Sequence, residues 1–239
     1  LPTELMERLQ ALARDENATM FIVLLAAFQV LLGKYAGSDD VVVGTPVAGR
    51  SRGETEGLIG FFVNTLVLRA ELGGDPPFRE VLRRVREATL GAYEHQEMPF
   101  EKLVAELQPE RSLSHSPLFQ VMFTANAPQA DAGPSALPLV GVAAERTSAQ
   151  FDLTLSMTEL ADGLRATAEY STDLFDPSTI QRMLGHLGRL LEQVVADADQ
   201  PIAALSLLDA SERAVVVEEW NRIDAEYPAG RCIHAIFES

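Results

Sequence analysis

Three short segments of this chain place polar side chains where the neighbouring sequence is apolar or constrained by proline. The first runs from Ile59 to Arg69 and reads Ile-Gly-Phe-Phe-Val-Asn-Thr-Leu-Val-Leu-Arg. The second, His95 to Glu101, reads His-Gln-Glu-Met-Pro-Phe-Glu, and the third, Arg111 to Leu118, reads Arg-Ser-Leu-Ser-His-Ser-Pro-Leu. Their amide, hydroxyl, imidazole and guanidinium groups are the ones best suited to hold or orient a substrate.

The apolar run around Asn64 predicts a buried strand, in which an amide and a guanidinium need partners. Asn64 and Thr65 therefore either satisfy backbone groups at a strand end or line a substrate channel. Arg69 is most simply an ion-pair partner at a strand edge. His95 is expected to end a helix and interact with its terminal carbonyls, and the hydroxyls of Ser114 and Ser116 can hold a loop.

Several chemistries are excluded by what the sequence lacks. The four histidines are scattered without the spacing of a metal site, so no metal is expected. No Gly-x-Ser-x-Gly elbow occurs, and Cys232, the single cysteine, lies near the end of the chain. The glycines do not follow a phosphate-binding pattern. Nucleophilic catalysis and nucleotide binding are therefore not supported.

Composition limits the partners and the location of the protein. The chain has 239 residues and a formal net charge of −16, and this negative charge disfavours binding to the phosphate backbone of a nucleic acid. The most hydrophobic segment, Met20 to Leu32, is shorter than the roughly 20 apolar residues that cross a bilayer. A single cysteine fits a reducing compartment, so we expect a cytoplasmic protein that uses no membrane.

The segments must be positioned by a mixture of helices and strands. Helical periodicity is predicted for Pro2–Arg14, capped by Thr3, for Thr19–Tyr35, ending at Gly37, for Phe78–His95, for Pro99–Leu107, for Asp176–Ala198 and for a helix capped by Ser211. Strands are predicted at 40–47, 59–69, 119–126, 139–146, 151–160 and 164–170, the last two forming a hairpin, with a long loop at 127–138. Because the two types do not alternate strictly, we expect an α+β fold, an open-sheet α/β sandwich.

Taken together, the three segments resemble core motifs of the condensation domain of nonribosomal peptide synthetases, in its C-terminal half. Ile59 to Arg69 resembles the fifth motif (Ile/Val-Gly-x-Phe-Val-Asn-Thr, ending in Arg). His95 to Glu101 resembles the sixth (His-Gln-Asp-x-Pro-Phe-Glu), and Arg111 to Leu118 the seventh (Arg-Asp-x-Ser-Arg-Asn-Pro-Leu). Six positions of these motifs are expected to have structural roles: Gly60, Arg69, His95, Pro99, Arg111 and Pro117.

The chain departs from the family pattern at several positions. Glu97 replaces an Asp of the sixth motif, and Ser112, His115 and Ser116 replace Asp, Arg and Asn of the seventh. The family's catalytic His-His-x-x-x-Asp-Gly motif does not occur, since no two histidines are adjacent. It is expected upstream of Leu1, so no catalytic residue is assigned within the chain and the isolated chain is expected to be inactive.

The resemblance implies a lobe like that of chloramphenicol acetyltransferase, one half of a two-lobed domain with the active site in a tunnel between the lobes. Residues 1–208 would form the C-terminal lobe, 209–226 an interdomain linker and 227–239 the start of an adenylation domain. The implied reaction is amide-bond formation between a donor acyl or peptidyl thioester and an acceptor aminoacyl thioester. Asn64, Thr65, Gln96 and Ser116 would face the substrate tunnel.

The resemblance also implies the partners. They are the N-terminal lobe of the same domain, upstream and downstream peptidyl carrier domains and the adjacent adenylation domain. No cofactor would be bound directly, because phosphopantetheine arrives on the carriers. Two alternatives stay open: an epimerization domain of the same fold, and a non-catalytic module that docks carrier domains. The motif form of Phe62 to Leu66 and the adenylation-like end favour condensation.

Overall fold

The computed structural model of the chain describes residues 1–50, 53–109, 116–126 and 148–222, together with residues 234 and 237. The chain divides into two compact units, Leu1–Leu205 and Ser206–Ser239. The helices of the first unit are α1 (Thr3–Asp15), α2 (Met20–Ala36), α3 (Gly53–Glu56), α4 (Phe78–Glu94), α5 (Phe100–Leu107) and α6 (Pro177–Ala196). Its strands are β1 (Asp40–Val47), β2 (Asn64–Glu71), β3 (Val121–Asn126), β4 (Leu153–Leu160) and β5 (Gly163–Tyr170).

The strands form one mixed sheet in the order β2-β1-β3-β4-β5. β1 pairs antiparallel with β2 and parallel with β3, β3 pairs parallel with β4, and β4 and β5 form the predicted antiparallel hairpin. The parallel pairs require long connections, whereas the hairpin turns over within a few residues. The predicted α+β open sheet is confirmed.

The core lies between one face of the sheet and a layer of helices. α2 is buried on nearly all sides, as expected of a helix that is apolar all round, and it packs against β1, β3, α1, α4 and α6. Its one buried amide, Gln29, donates from Nε2 to the carbonyl of Leu68 over 3.0 Å. α4 covers β2 and α1 covers β5.

The other face of the sheet is polar where the strands alternate. In β4, Leu153, Leu155 and Met157 are buried, while Thr154 and Ser156 are only half-buried. Side chains alternate between the two faces of a strand, so the hydroxyls lie on the face away from the apolar core. Ser156 also shares a 2.9 Å hydrogen bond with Thr124 of β3.

The ends of several helices follow the predicted signals, and two differ. Thr19 caps α2 by accepting from Ile22 N, and Gly37 ends it with a left-handed φ of 60°. The prediction that Thr3 caps the first helix was wrong, since Pro2 occupies that position without a side-chain hydrogen bond. In the second unit, α7 spans Ala210–Ala214, and its cap is Asp209, not the predicted Ser211. The carboxylate of Asp209 accepts the backbone N–H of Glu212 in a capping box.

The prediction of a buried strand over Ile59 to Arg69 was correct only for its second half. β2 begins at Asn64, while Ile59 and Phe61 are almost fully exposed. The physical reason is register: Asn64 pairs with Val47, the last residue of β1, so no residue of β1 remains to pair with 59–63. The predicted strand at 139–146, the loop at 127–138 and nearly all of 227–239 lie outside the described residues.

None of the described helices is long and apolar enough to cross a membrane on its own. α1 and α2 meet the criterion of length and composition only as a pair, and that pair is bent by 102°.

Acid should weaken one surface network on α4. The carboxylate of Glu80 accepts hydrogen bonds from Arg83 and Arg84, which lower its pKa to about 2. A carboxyl whose pKa is lower in the folded state stabilises the fold above its unfolded pKa, and this contribution disappears as the pH falls towards 2. Glu80→Gln should therefore lower Tm slightly at pH 7 and less so at pH 3.

Thermal unfolding of the two proteins between pH 7 and pH 3 measures this difference. Raising the salt to about 1 M at pH 7 serves as the control, because ions screen exposed charge pairs and should also shrink the difference. A Tm difference that grows as the pH falls would contradict the assignment.

Candidate functional site

An open cleft of about 1150 Å³ lies where β1 ends and β2 begins. It is called the cleft below. Its walls come from five stretches that are separated in sequence: the end of β1, the segment that leads into β2, the turn between α4 and α5 with the start of α5, the residues around the start of β3, and the residues before β4. The lining residues are Pro46, Gly49, Thr55, Phe61, Phe62, Val63, Asn64, Thr65, Gln96, Glu97, Pro99, Phe100, Glu101, Ser116, Phe119, Met122, Gln150 and Phe151.

An aromatic cluster forms one wall of the cleft. Phe119 lies between Phe100 and Phe151, with ring centroids 5.6 and 5.4 Å away. Its ring also lies directly against Gly44 of β1, where an added Cβ would come within 2.3 Å of a ring carbon. The absence of a side chain at Gly44 therefore lets the buried ring of Phe119 pack closely against β1 beside the cleft.

The rim segment, residues 53–63, closes one side of the cleft and is fastened to the end of β1. Gly49 has a left-handed φ of 62°, and a Cβ there would lie 1.8 Å from the carbonyl oxygen of Phe62. The guanidinium of Arg50 stacks over the Phe62 ring at 4.5 Å and also donates to the carbonyl of Thr55. Gly49 and Arg50 thus set where the rim segment lies.

Asn64 joins the start of β2 to the turn between α4 and α5. Its Nδ2 donates to the carbonyls of Gln96 and Met98 over 2.8 and 2.7 Å. Its Oδ1 accepts the backbone N–H of Phe100 over 3.1 Å. The side chain lines the cleft, but three backbone groups engage its amide, in line with one of the two interpretations of the sequence.

The structure brings together all four residues predicted for the tunnel: Asn64, Thr65, Gln96 and Ser116 line the same cleft. The carbonyl of Ser116 also accepts from the Gln120 side chain over 3.1 Å, which holds the backbone that leads into β3. Their convergence is the strongest support that the motifs form one site. Contact of any of them with a substrate stays a prediction.

The motif positions with expected structural roles are spread around the cleft. Pro99 lines it and precedes α5, and His95 ends α4 as an exposed residue outside the lining. Gly60 is exposed next to the Phe62 ring, and Pro117 is half-buried. Arg111, together with Ser114 and His115, lies outside the described residues.

Arg69 forms the ion pair that the strand-edge interpretation predicts. Its guanidinium binds both carboxylate oxygens of Asp40 on the neighbouring strand, over 2.8 and 2.9 Å. This contact holds the pKa of Asp40 below its usual value. Arg69 is not among the described residues that line the cleft, and its ion pair joins β2 to β1.

The cleft continues as a groove across the polar face of the sheet. The groove measures about 760 Å³ and shares Pro46, Met122, Gln150 and Phe151 with the cleft. Its remaining lining is Thr154, Ser156, Thr167, Ala168, Glu169, Tyr170 and Thr172. The cleft and the groove are therefore continuous, and five of the eleven residues that line the groove carry a hydroxyl group.

The described lining contains two carboxylates, Glu97 and Glu101, but no histidine or cysteine. In the described part of the chain, no group of three or more histidine, cysteine or acidic residues is placed to hold a metal ion. The described cleft thus offers shape, hydrogen bonds and an aromatic wall, and it lacks a nucleophile of the cysteine type or a histidine base.

Comparison with known proteins identifies the family. The family model described as "Condensation domain" matches residues 1–217. The chain belongs to the condensation-domain family. This membership confirms the resemblance that the three motifs indicated.

The curated relatives of this condensation-domain chain are far longer than the chain itself. It is 56% identical over 237 residues to one of the subunits of linear gramicidin synthase from Brevibacillus parabrevis, covering 98% of the chain and 5% of the relative. It is 40% identical over 235 residues to surfactin synthase subunit 1 of Bacillus subtilis (strain 168), covering 97% of the chain and 6% of the relative. The chain therefore spans about a twentieth of the length of these synthases.

Solved structures confirm the fold of the condensation-domain lobe. The X-domain from teicoplanin biosynthesis, solved in complex with OxyB, matches 87% of the chain and 47% of its own length, with a TM-score of 0.77 and 31% identity. A four-domain nonribosomal peptide synthetase matches 98% of the chain and 19% of its own length, with a TM-score of 0.84 and 27% identity. The chain corresponds to about half of the X-domain, as expected of one lobe of two.

Sequence reasoning missed several residues that shape the cleft. Phe119, Gln150, Phe151 and Gly49 line the cleft but lie outside the three motifs. Phe119 and Phe151 begin the predicted strands 119–126 and 151–160, but the structure places them just before β3 and β4, and the strand pattern does not show that their rings meet. The sequence around Gly49 did not predict its contact with Phe62, because the two residues are 13 positions apart in the chain.

Proposed function

We propose that this chain is one lobe of a nonribosomal peptide synthetase condensation domain, which forms an amide bond between two carrier-bound substrates. The observation that carries the proposal is the family match over residues 1–217. The cleft adds support, because it gathers the residues of separate motifs around a volume of about 1150 Å³.

In the proposed reaction, the free amine of an acceptor aminoacyl thioester attacks the carbonyl carbon of a donor acyl or peptidyl thioester. A tetrahedral oxyanion forms, the carbon–sulfur bond breaks, and the donor's carrier thiol is released while the amine loses a proton. The reaction needs an unprotonated amine, alignment of both reactants and stabilisation of the oxyanion. This lobe would supply alignment, while the proton-transfer residue would come from the N-terminal lobe.

The cleft suits the alignment of extended substrates. Thr65, Gln96 and Ser116 offer polar groups, and the aromatic wall around Phe119 offers an apolar surface. The groove across the sheet extends this path by about 760 Å³ and would accept the growing donor chain. Phosphopantetheine would enter the cleft as part of the substrate arm of each carrier.

The proposed context is a cytoplasmic synthetase with several domains. Upstream and downstream peptidyl carrier domains would deliver the substrates, with no membrane or nucleic acid involved. Residues 1–208 would form the lobe, 209–226 a linker and 227–239 the beginning of an adenylation domain. The division of the chain after Leu205 and the family match as far as residue 217 both support a boundary in this region.

The full-length protein with loaded carriers provides the test, and residues 1–239 alone should form no amide. We expect the full-length protein to carry a His-His-x-x-x-Asp-Gly motif upstream of Leu1 and to form a carrier-bound amide, detected by mass spectrometry of the carrier. Replacing the second histidine of that motif with alanine should abolish the product. Inversion of the carrier-bound residue without amide formation would instead indicate an epimerization domain, and amide formation by residues 1–239 would overturn the assignment of chemistry to the other lobe.

A non-catalytic docking module is the second candidate. It is favoured by the 31% identity to an X-domain that was solved as a complex with another protein. In that case the full-length protein would bind loaded carriers without forming an amide or inverting a residue, and replacing the upstream histidine would change nothing.

A further inference from the structure

We propose that Asn64 is a positioning residue whose side-chain amide holds the turn 95–99 and the start of α5 in place as one wall of the cleft. This inference deepens the proposed function and rests on it for the purpose of that wall. It also revises the expectation that the amide of Asn64 faces the substrate.

The hydrogen bonds of Asn64 use its whole donor capacity. A primary amide has two N–H donors and one carbonyl acceptor. Nδ2 donates to the carbonyls of Gln96 and Met98, and Oδ1 accepts from the N–H of Phe100. With both donors directed at backbone carbonyls, the amide is committed to the turn before any ligand arrives.

The sequence of the turn explains why a distant side chain is needed. The first N–H groups of a helix lack partners inside the helix, and a Ser, Thr, Asp or Asn immediately before it usually accepts one of them. Pro99 precedes α5 and has no side-chain acceptor. The first N–H of α5, that of Phe100, instead donates to Oδ1 of Asn64, which lies 36 positions earlier in the chain.

The amide is itself held by the sheet. Asn64 is the first residue of β2 and pairs with Val47 of β1, so its backbone is fixed at the end of a paired strand. The turn that it grips contributes Gln96, Glu97 and Pro99 to the lining of the cleft, and α5 contributes Phe100 and Glu101. The side chain of Asn64 therefore links this whole wall directly to the end of the sheet.

Two substitutions of Asn64 in the full-length protein test the contacts. Asn64→Ala removes all three hydrogen bonds. Asn64→Asp keeps an acceptor for Phe100 N–H but directs an oxygen at the carbonyls of Gln96 and Met98. We expect both to lower kcat/KM for amide formation at least tenfold, and Asn64→Ala to speed hydrogen exchange in peptides spanning 95–101 at least tenfold.

A matched control separates positioning from general destabilisation. Thr19→Ala removes the side-chain cap of α2, which accepts from Ile22 N and does not line the cleft. It should also lower Tm, because it removes one hydrogen bond at the start of a helix, whereas Asn64→Ala removes one such bond and two others. The kcat/KM of the Thr19→Ala protein should stay within about twofold of the unsubstituted protein.

A double-mutant cycle separates positioning from substrate contact. Phe100→Ala removes the ring and keeps the N–H, whereas Phe100→Pro removes both, and proline is well tolerated at the first position of a helix. If Asn64 acts through Phe100 N–H, the change from the Phe100→Ala to the Phe100→Pro variant lowers kcat/KM when Asn64 is present and has no effect in the Asn64→Ala background. Equal losses in both backgrounds would show that Asn64 does not act through this N–H.

The exchange measurement keeps the two proposals distinguishable. Unchanged exchange at 95–101 in the Asn64→Ala protein would overturn the positioning role, whatever the activity. Faster exchange with unchanged kcat/KM would also overturn it, because the wall would then not matter. If the unsubstituted protein formed no amide, the proposed function would fail, and exchange at 95–101 would still decide whether Asn64 holds the turn.

Discussion

Replacing Phe123 with alanine is expected to lower the free energy of unfolding by about 3 to 5 kcal/mol. Phe123 lies in β3 with no exposed surface, and its ring packs against Phe21 and Phe28 of α2 at centroid distances of 5.4 and 5.7 Å. Truncation removes buried apolar area and leaves a cavity at the centre of the layer between sheet and helices. Urea denaturation of the 239-residue chain, with an unchanged slope, would show the loss as a midpoint lower by about 1 to 3 M.

The matched control makes the same chemical change at an exposed ring. Phe61 is 91% exposed, so Phe61→Ala should change the free energy of unfolding by no more than about 0.5 kcal/mol. Equal midpoints for the two variants would show that the interface of β3 with α2 is not the core of this unit.

The elements that agree with the sequence are those whose signals are local. α2 is a long apolar segment with Thr19 at its start and Gly37 at its end, and the structure places the two ends there. The hairpin of β4 and β5 follows from two alternating runs joined by Ala161, Asp162 and Gly163. In each case the signal and its physical cause lie within a few residues of one another.

The rim segment shows where apolarity alone misleads. Hydrophobic residues at 59–63 predicted burial, but burial requires a partner surface, and β1 has no residue left to pair with them. The residues at 59–63 do not themselves show that β1 ends before them, because that end is set by the register between β1 and β2. In the proposed two-lobed domain, this exposed apolar surface would face the other lobe.

The candidate site was predictable as a set of motifs and not as a set of contacts. The motif resemblance grouped Asn64, Thr65, Gln96 and Ser116, and the fold brings them to one cleft. The hydrogen bonds of Asn64 reach backbone groups 32 to 36 residues away. The residue types at those positions do not reveal that their backbone groups bind a distant side chain. For this reason the sequence could not distinguish a residue that holds the wall from one that faces the substrate.

Gly49→Ala is expected to open the rim of the cleft and lower kcat/KM for amide formation in the full-length protein at least tenfold. A Cβ at residue 49 would lie 1.8 Å from the carbonyl oxygen of Phe62, about 1.5 Å closer than an ordinary carbon–oxygen contact. The obstacle is backbone, so no rotamer change relieves it, and the left-handed φ of 62° adds about 1 to 2 kcal/mol of strain for alanine. Residues 61–63 must therefore move. Asn64, whose side chain is hydrogen-bonded to the turn between α4 and α5, follows them directly in the chain and would be displaced with them.

Gly57→Ala is the matched control, since it makes the same change in the rim segment where a Cβ meets nothing within 4 Å. It should leave kcat/KM within about twofold, and hydrogen exchange over 53–63 should rise in the Gly49→Ala protein alone. If the two variants had the same activity and the same exchange, the close approach of Gly49 to Phe62 would not control the cleft. A loss of activity without faster exchange at 53–63 would mean that residue 49 acts on the reaction by another route.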